Sequence, residues 1–140
     1  MAISKKQKRT ITVDGKTYLW WVFDEVDQTE FDGTQIKLIS EGQSHYLKYG
    51  LEQSDDNRRV VIGLQNAGVL IQLECPKFED EQGIITPGGV RKLIEWCRMR
   101  PDENTVRTIK HAYEPKLHPL SEERIGQLYK RILDAVNKGV

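Results

Sequence analysis

The hydrophobic pattern of this chain changes its period once, at Thr86. Before Thr86, apolar residues recur at every second position in short runs separated by turn residues, which is typical of β-strands. After Thr86 they recur three and four positions apart, which is typical of amphipathic helices. Strands first and helices last favours an α+β domain. The pattern therefore predicts an antiparallel sheet of about six strands (three hairpins) with two C-terminal helices packed on one face.

Turn residues divide the first part of the chain into three predicted hairpins. In the first, Asp14-Gly15 supplies the two residues that a type I′ turn accepts at positive φ, between strands at residues 9–13 and 16–23. The other two hairpins have turn residues at 41–43 and at 65–68. Their strand pairs span residues 34–40 with 44–49, and residues 59–64 with 69–74.

The strand at residues 16–23 is apolar on both of its sides, because side chains alternate along a strand. One side carries Tyr18, Trp20 and Val22, and the other carries Leu19, Trp21 and Phe23. Such a strand lies in a sheet covered on both faces, or it displays one aromatic row for binding. We favour burial in the core and keep display as the alternative.

Two helices are predicted after the change of period. Thr86 is placed to cap a helix over residues 87–100, with Pro87 at its first position, where the missing amide hydrogen costs nothing. Ser121 is placed to cap a second helix over residues 122–138. The apolar stripes consist of Val90, Leu93, Ile94 and Cys97 in the first, and of Ile125, Leu128, Tyr129, Ile132 and Val136 in the second. Residues 104–113 fit either a helix or a strand.

Length and composition bound the class of protein. The 140 residues suit one domain, and we expect a flexible basic arm at residues 1–8 followed by a single α+β domain at residues 9–140. No run approaches the roughly 18 apolar residues that a membrane span needs, so we expect no membrane partner. Two cysteines are too few for a disulfide framework, which favours a reducing compartment and a cytoplasmic location.

The charges cancel over the whole chain but are unevenly distributed. Residues 17–57 carry nine acidic residues against two lysines, a net charge of −7. Such a segment can attract a basic partner. The leading hypothesis is therefore a protein-interaction or inhibitor module that binds a basic protein partner, with acidic residues beside an exposed Trp21 or Phe23. The predicted partner-binding residues are Trp21, Phe23, Asp24, Glu25, Asp27, Glu30 and Asp32. The apolar stripe of the second helix also allows a homo-oligomer.

Nucleic-acid binding is the second hypothesis. Basic residues in the N-terminal arm and on the polar side of the first helix could neutralise phosphates. The zero net charge and the acidic segment argue against it. The candidate residues are Lys5, Lys6, Lys8, Arg9, Arg91, Lys92 and Arg98.

A third hypothesis is a small anionic ligand at the start of the first helix. Thr86, Gly88 and Gly89 would leave backbone amides open to an anion there, although glycines also permit close packing. The cysteines and histidines lack the paired spacing of a metal site, and no nucleophile has a base beside it in a recognisable motif. We therefore expect no metal, no cofactor and no enzymatic activity.

Two short motifs resemble a group of small uncharacterised bacterial proteins. Tyr18-Leu19-Trp20 matches a Tyr-x-Trp strand, and Ile85-Thr86-Pro87 matches an Ile-Thr-Pro helix start. The resemblance covers residues 9–97 and implies a small sheet covered by a helix, with no catalytic residue. Members of the group continue into a Gly-Trp pair, where this chain has Arg100-Pro101-Asp102, so the last 40 residues are outside the resemblance.

Overall fold

The structure is a computed structural model that describes residues 8–25, 31, 33–54, 56, 58–64, 69–81, 84–99, 106–111 and 122–138. Within these residues the chain forms nine strands and two helices. The strands are β1 (Arg9–Val13), β2 (Lys16–Glu25), β3 (Gly33–Ser40), β4 (His45–Gly50), β5 (Arg59–Leu64), β6 (Val69–Glu74), β7 (Asp80–Glu81), β8 (Ile84–Ile85) and β9 (Val106–His111). The helices are α1 (Pro87–Arg98) and α2 (Glu122–Lys138).

The main sheet is antiparallel throughout, in the order β1-β2-β3-β4-β5-β6-β9. Its first six strands follow the chain order, as short antiparallel connections require, and they confirm the predicted six-stranded sheet. The segment that fitted either a helix or a strand contains β9, which pairs with the free edge of β6. The sheet therefore has seven strands.

The first hairpin turns at Asp14 and Gly15, which have φ angles of 51° and 79°. Both angles are positive, as a type I′ turn requires, and Val13 pairs with Lys16 across the turn. This confirms the turn predicted from Asp14-Gly15. The residues predicted to turn the third hairpin, 65–68, lie outside the described residues.

The described residues of both apolar stripes are buried against the same face of the sheet, which we call the covered face. Alternate side chains of the strands form one hydrophobic cluster with these stripes, and most of them are fully buried. The covered face consists of Val13, Tyr18, Trp20, Ile36, Leu38, Leu47, Tyr49, Val60, Ile62, Leu64, Ile71 and Leu73. Helix packing on one face is the predicted arrangement.

The helix boundaries follow local chemistry. Thr86 caps α1, and its side-chain oxygen accepts a hydrogen bond of 3.1 Å from the amide of Gly89. The helix ends at Arg98 rather than at the predicted residue 100, because Met99 already takes the C-cap position. The predicted bounds of α2 are confirmed.

A buried ion pair ties the segment before α1 to the covered face. Arg58 Nη1 lies 2.5 Å from Asp80 Oδ2 and donates to the hydroxyl of Tyr49 at 2.7 Å. Asp80 also accepts from the amide of Phe78, and a Cβ added at Gly89 would overlap the carbonyl of Phe78. Asp80 is therefore buried although its neighbours Lys77 and Glu79 are exposed, and its strand β7 pairs with β8.

Candidate binding surface

The strands present a second set of side chains on the side of the sheet away from both helices, which we call the open face. Trp21 and Val61 are buried on this face, yet they lie outside the cluster that contains the helices. Most of the other side chains are partly exposed. The described side chains of the open face are Leu19, Trp21, Phe23, Gln35, Lys37, Ile39, Tyr46, Lys48, Arg59, Val61, Leu70, Gln72 and Glu74.

Strand register arranges the open face in rows that cross the strands. The apolar row consists of Leu19, Ile39, Tyr46, Gly63 and Leu70, each a direct partner of the next. The basic row consists of Trp21, Lys37, Lys48, Val61 and Gln72. Along each strand the two rows are two positions apart, a distance of about 7 Å.

The centre of the basic row is a pair of like charges. Lys37 and Lys48 are direct cross-strand partners and both are partly exposed. They are also the only two cations among residues 17–57, the acidic segment. Like charges directly opposite each other destabilise a sheet. The two lysines therefore concentrate positive charge at one place on the open face.

A third lysine reaches the open face from the edge of the sheet. Lys8 Nζ lies 4.6 Å from the ring centre of Trp21, which is the neighbour of Lys37 in the basic row. A cation over the face of an indole is attracted by its quadrupole. Positive charge therefore lies along the basic row from Lys8 to Lys48.

Tyr46 provides an aromatic ring beside these lysines. Its ring lies across Gly63, its partner on β5, so closely that a Cβ at Gly63 would overlap it. Lys37 Nζ lies 5.1 Å from the ring centre. Glycine within a strand is typical of a place where another group approaches the backbone closely. Gly63 thus lets the partly exposed ring of Tyr46 lie against the sheet next to Lys37.

The acidic site predicted from the sequence is only partly within the described residues. Of the two aromatic residues offered as the exposed one, Trp21 is only 8% exposed and has Lys8 over its ring. Phe23 is partly exposed, and Asp24 is exposed and accepts a 2.6 Å hydrogen bond from Thr34. The side chain of Glu25, together with Asp27, Glu30 and Asp32, lies outside the described residues. The acidic site stays a prediction.

The cations predicted on α1 each have an acidic neighbour. Arg91 lies 3.7 Å from Glu95, and Lys92 lies 2.5 Å from Glu79. Arg98 lies 2.7 Å from Asp14. These pairs reduce the positive potential of α1 at these three residues.

The N-terminal arm is represented only by its last residues. Arg9 lies over the ring of Trp20, on the covered side of the sheet. Lys5 and Lys6 are outside the described residues. Of the two candidates that the structure describes here, Lys8 reaches the open face.

The predicted anion site at the start of α1 is closely packed. The amide of Gly89 already donates to Thr86, and Gly89 lies against the carbonyl of Phe78. The carboxylate of Glu79 lies near Gly88. These contacts favour the packing role of the glycines, and anion binding there stays a prediction.

A polar chain lies beneath a cleft between the turns of the first two hairpins. The hydroxyl of Tyr18 lies 2.7 Å from Nε2 of His45, and the hydroxyl of Ser44 lies 2.8 Å from Nδ1. Burial, assisted by the charge of Lys16, lowers the pKa of His45 to about 4. His45 is therefore neutral at pH 7, so that one ring nitrogen donates and the other accepts.

The cleft above this chain has a volume of about 620 Å³, within the range of small-ligand sites, roughly 300–1,000 Å³. However, Tyr18 and His45 are fully buried beneath it. A ligand in the cleft would meet the exposed turn residues Asp14 and Glu41 instead. The chain of hydrogen bonds therefore serves the fold, because it satisfies a buried histidine.

The described residues contain no group of three or more His, Cys, Asp or Glu side chains placed to hold a metal ion. Among the helices in the described part of the chain, none is long and apolar enough to cross a membrane.

Comparison of the chain with protein-family models, with curated proteins and with solved structures finds no match in any of the three. The resemblance to small bacterial proteins therefore stays a prediction.

Proposed function

We propose that this protein binds nucleic acid on the open face of its sheet, with phosphates contacting Lys37, Lys48 and Lys8. The observation that carries the proposal is the register of Lys37 with Lys48, which places the only two cations of an acidic segment side by side. Phosphate neutralisation by lysine supplies most of the affinity in sequence-independent binding of nucleic acid. The proposal includes a cytoplasmic location and a binding role without catalysis.

The concentration of positive charge supports the open face as the binding surface. Lys37 and Lys48 lie side by side in the basic row, and Lys8 lies over the ring of Trp21, the next residue of that row. A polyanion placed there would also relieve the repulsion between the two lysines.

The test measures the affinity for fluorescently labelled oligonucleotides by anisotropy, at about 50 mM and about 200 mM salt. We expect the double variant Lys37→Gln/Lys48→Gln to bind about tenfold more weakly at the lower salt concentration, with a salt dependence shallower by one to two units of slope. The matched control is Lys130→Gln/Arg131→Gln, which removes two exposed cations from α2 and should bind like the unaltered protein.

Three outcomes would contradict the proposal. The first is the absence of salt-dependent binding at micromolar protein. The second is an equal loss in the α1 variant Arg91→Gln/Lys92→Gln, which would move the site to the helix. The third is a dimer that Lys37→Glu/Lys48→Glu dissociates, which would identify a second copy of the chain as the occupant of the open face. Circular dichroism of each variant checks that it is folded.

A further inference from the structure

We infer that the outer edge of β2 at residues 22–24, which we call the β2 edge, accepts an extended basic segment of a partner protein as an added strand. This inference is independent of nucleic-acid binding, because it concerns backbone groups at the side of the sheet and not the lysines of the open face. It follows from the difference in length between the first two strands. β2 has ten residues, whereas β1 has five and its pairing with β2 ends where Arg9 meets Trp20.

The backbone of the β2 edge has hydrogen-bonding groups that point away from the sheet. The amide and carbonyl groups of successive residues point to opposite sides of a strand. The carbonyl of Thr17 accepts from the amide of Glu41 on the side of β3, so the groups of Val22 and Asp24 point to the other side. Within the described part of the chain, no strand pairs with residues 22–24 on that side. The amides and carbonyls of both residues are therefore available to a strand placed there.

The side chain of Val22 is uncovered at the same place. Val22 is 41% exposed, although Ile36 and Tyr49, the next two residues of its cross-strand row, are fully buried. Residues directly opposite each other on paired strands point to the same face, so an added strand would cover Val22 with one of its own side chains. The β2 edge therefore offers apolar contact as well as hydrogen bonds.

Two exposed carboxylates determine the charge of the partner segment. Asp24 Oδ1 and Glu52 Oε2 each accept a 2.6 Å hydrogen bond from Thr34. No described cation forms an ion pair with either carboxylate. At the other end of the β2 edge, Lys8 lies over the ring of Trp21. The partner segment should therefore carry a lysine or an arginine opposite Asp24 and an uncharged residue near Lys8.

Strand addition also gives a physical form to the acidic site predicted from the sequence. Phe23 and Asp24 belong to that site and lie on the β2 edge, where Phe23 is partly exposed. When an extended peptide joins the edge of a sheet, main-chain hydrogen bonds supply affinity and alternate side chains supply specificity. At the β2 edge, the side chains that would supply specificity are Val22 and Asp24 on one face and Phe23 on the other.

The test uses the full-length protein and the peptide acetyl-Gly-Lys-Thr-Val-Thr-Gly-amide. An antiparallel register places its lysine opposite Asp24 and its valine opposite Val22. Amide hydrogen exchange is followed by NMR. In the free protein, the amides of Val22 and Asp24 should exchange faster than that of Phe23, which points to β3. The peptide should slow the exchange of Val22 and Asp24, because both amides would then donate to the added strand.

Two N-methylated peptides separate strand addition from attraction between charges. N-methylation of the valine removes the amide that would donate to the carbonyl of Val22, and it should weaken binding about tenfold. N-methylation of the threonine between the lysine and the valine should have little effect, because that amide points away from the β2 edge.

A pair of protein variants tests the charge of the partner. Asp24→Asn should weaken binding about threefold, because it removes the charge opposite the lysine of the peptide. The matched control is Glu41→Gln, which removes an exposed carboxylate beside Thr17 near the other end of β2 and should bind like the unaltered protein. Circular dichroism shows whether both variants are folded.

Four outcomes would overturn the inference. The first is unchanged exchange of Val22 and Asp24 at millimolar peptide. The second is equal weakening by the two N-methylated peptides or by the two protein variants. The third is slow exchange of these amides in the free protein that becomes fast when residues 1–7 are deleted, which would identify the N-terminal arm as the occupant. The fourth is protection that rises with protein concentration, which would identify a second copy of the chain.

Discussion

The two faces of the sheet are built from the same strands but differ in burial and in charge. On the covered face, Leu38, Leu47 and Ile62 form a direct cross-strand row, all fully buried beneath the helices. One residue away on the same strands, Lys37, Lys48 and Val61 form the corresponding row of the open face. The comparison shows that burial beneath the helices selects apolar residues on one face, whereas the other face carries two like charges side by side.

Polar groups show the same contrast. Polar side chains at the covered face, such as His45 and Arg58, are buried and held by defined partners. Cations of the open face are partly exposed, and two lie over aromatic rings. A buried polar group without its partner is costly, whereas an exposed one can return to water. Substitutions should therefore affect stability on the covered face and binding on the open face.

The largest expected difference in the free energy of unfolding is between substitutions of two adjacent arginines, one on each face. Arg58 is 5% exposed and paired with Asp80, whereas Arg59 is partly exposed and donates a 3.0 Å hydrogen bond to Gln72. We expect Arg58→Ala to lower the free energy of unfolding by about 3–5 kcal/mol, because Asp80 would be left buried and unpaired. Arg59→Ala should cost about 1 kcal/mol. Urea unfolding of both variants measures the difference.

A second change checks the cause of the loss at Arg58. Adding Asp80→Asn to Arg58→Ala removes the buried charge and should recover part of the stability. An equal loss of stability in Arg58→Ala and Arg59→Ala would contradict the difference in burial between the two faces.

Protonation of His45 is expected to cause a smaller loss of folding stability. Its pKa in the folded chain is about 4, against an ordinary value of 6.5, so the unfolded chain binds more protons between these pH values. Stability contributed by the neutral imidazole is therefore present above pH 6.5 and is lost as the pH falls toward 4. Between pH 7 and pH 5 the loss should be about 2 kcal/mol.

Urea unfolding at pH 7, 6 and 5 measures this loss, with His45→Gln as the control. The variant keeps a polar side chain at the site but has no group that titrates in this range, so its stability should change less between pH 7 and pH 5. A parallel pH dependence in both proteins would assign the effect to other groups. The open face carries no described histidine, so its part in nucleic-acid binding should not depend on this titration.

Local pattern was sufficient to predict β1 to β6 and both helices, because alternation, turn residues and caps are local signals. It did not predict the short strands β7 and β8. It could not decide residues 104–113, where the apolar residues fit both periods; the free edge of β6 decides in favour of β9. It also missed the pair of Arg58 with Asp80, since these residues are 22 positions apart and meet only when the segment before α1 folds back. Long-range contacts of this kind leave no local signal.

The register of the open face, in contrast, was missed by one position. A hairpin that turns at residues 41–43 pairs position 40 with 44 and therefore 37 with 47. The structure has a four-residue connection at 41–44 instead, which pairs Lys37 with Lys48. A difference of one residue in the length of a turn changes every cross-strand partner, so the sequence pattern could not bring the two lysines together.

The smallest expected effect concerns that pair. If the repulsion between Lys37 and Lys48 is maintained for binding, Lys37→Gln should raise the free energy of unfolding by about 0.2–1 kcal/mol at low salt. The gain should vanish near 1 M salt, where charges at this distance are screened. Urea unfolding at both salt concentrations measures it, with Lys130→Gln on α2 as the control for the loss of one exposed charge. A variant that is less stable than the unaltered protein would show that Lys37 supports the fold, through its contact with Tyr46, more than it strains it. A gain in stability together with weaker binding would show that the open face carries a cost that only its ligand relieves.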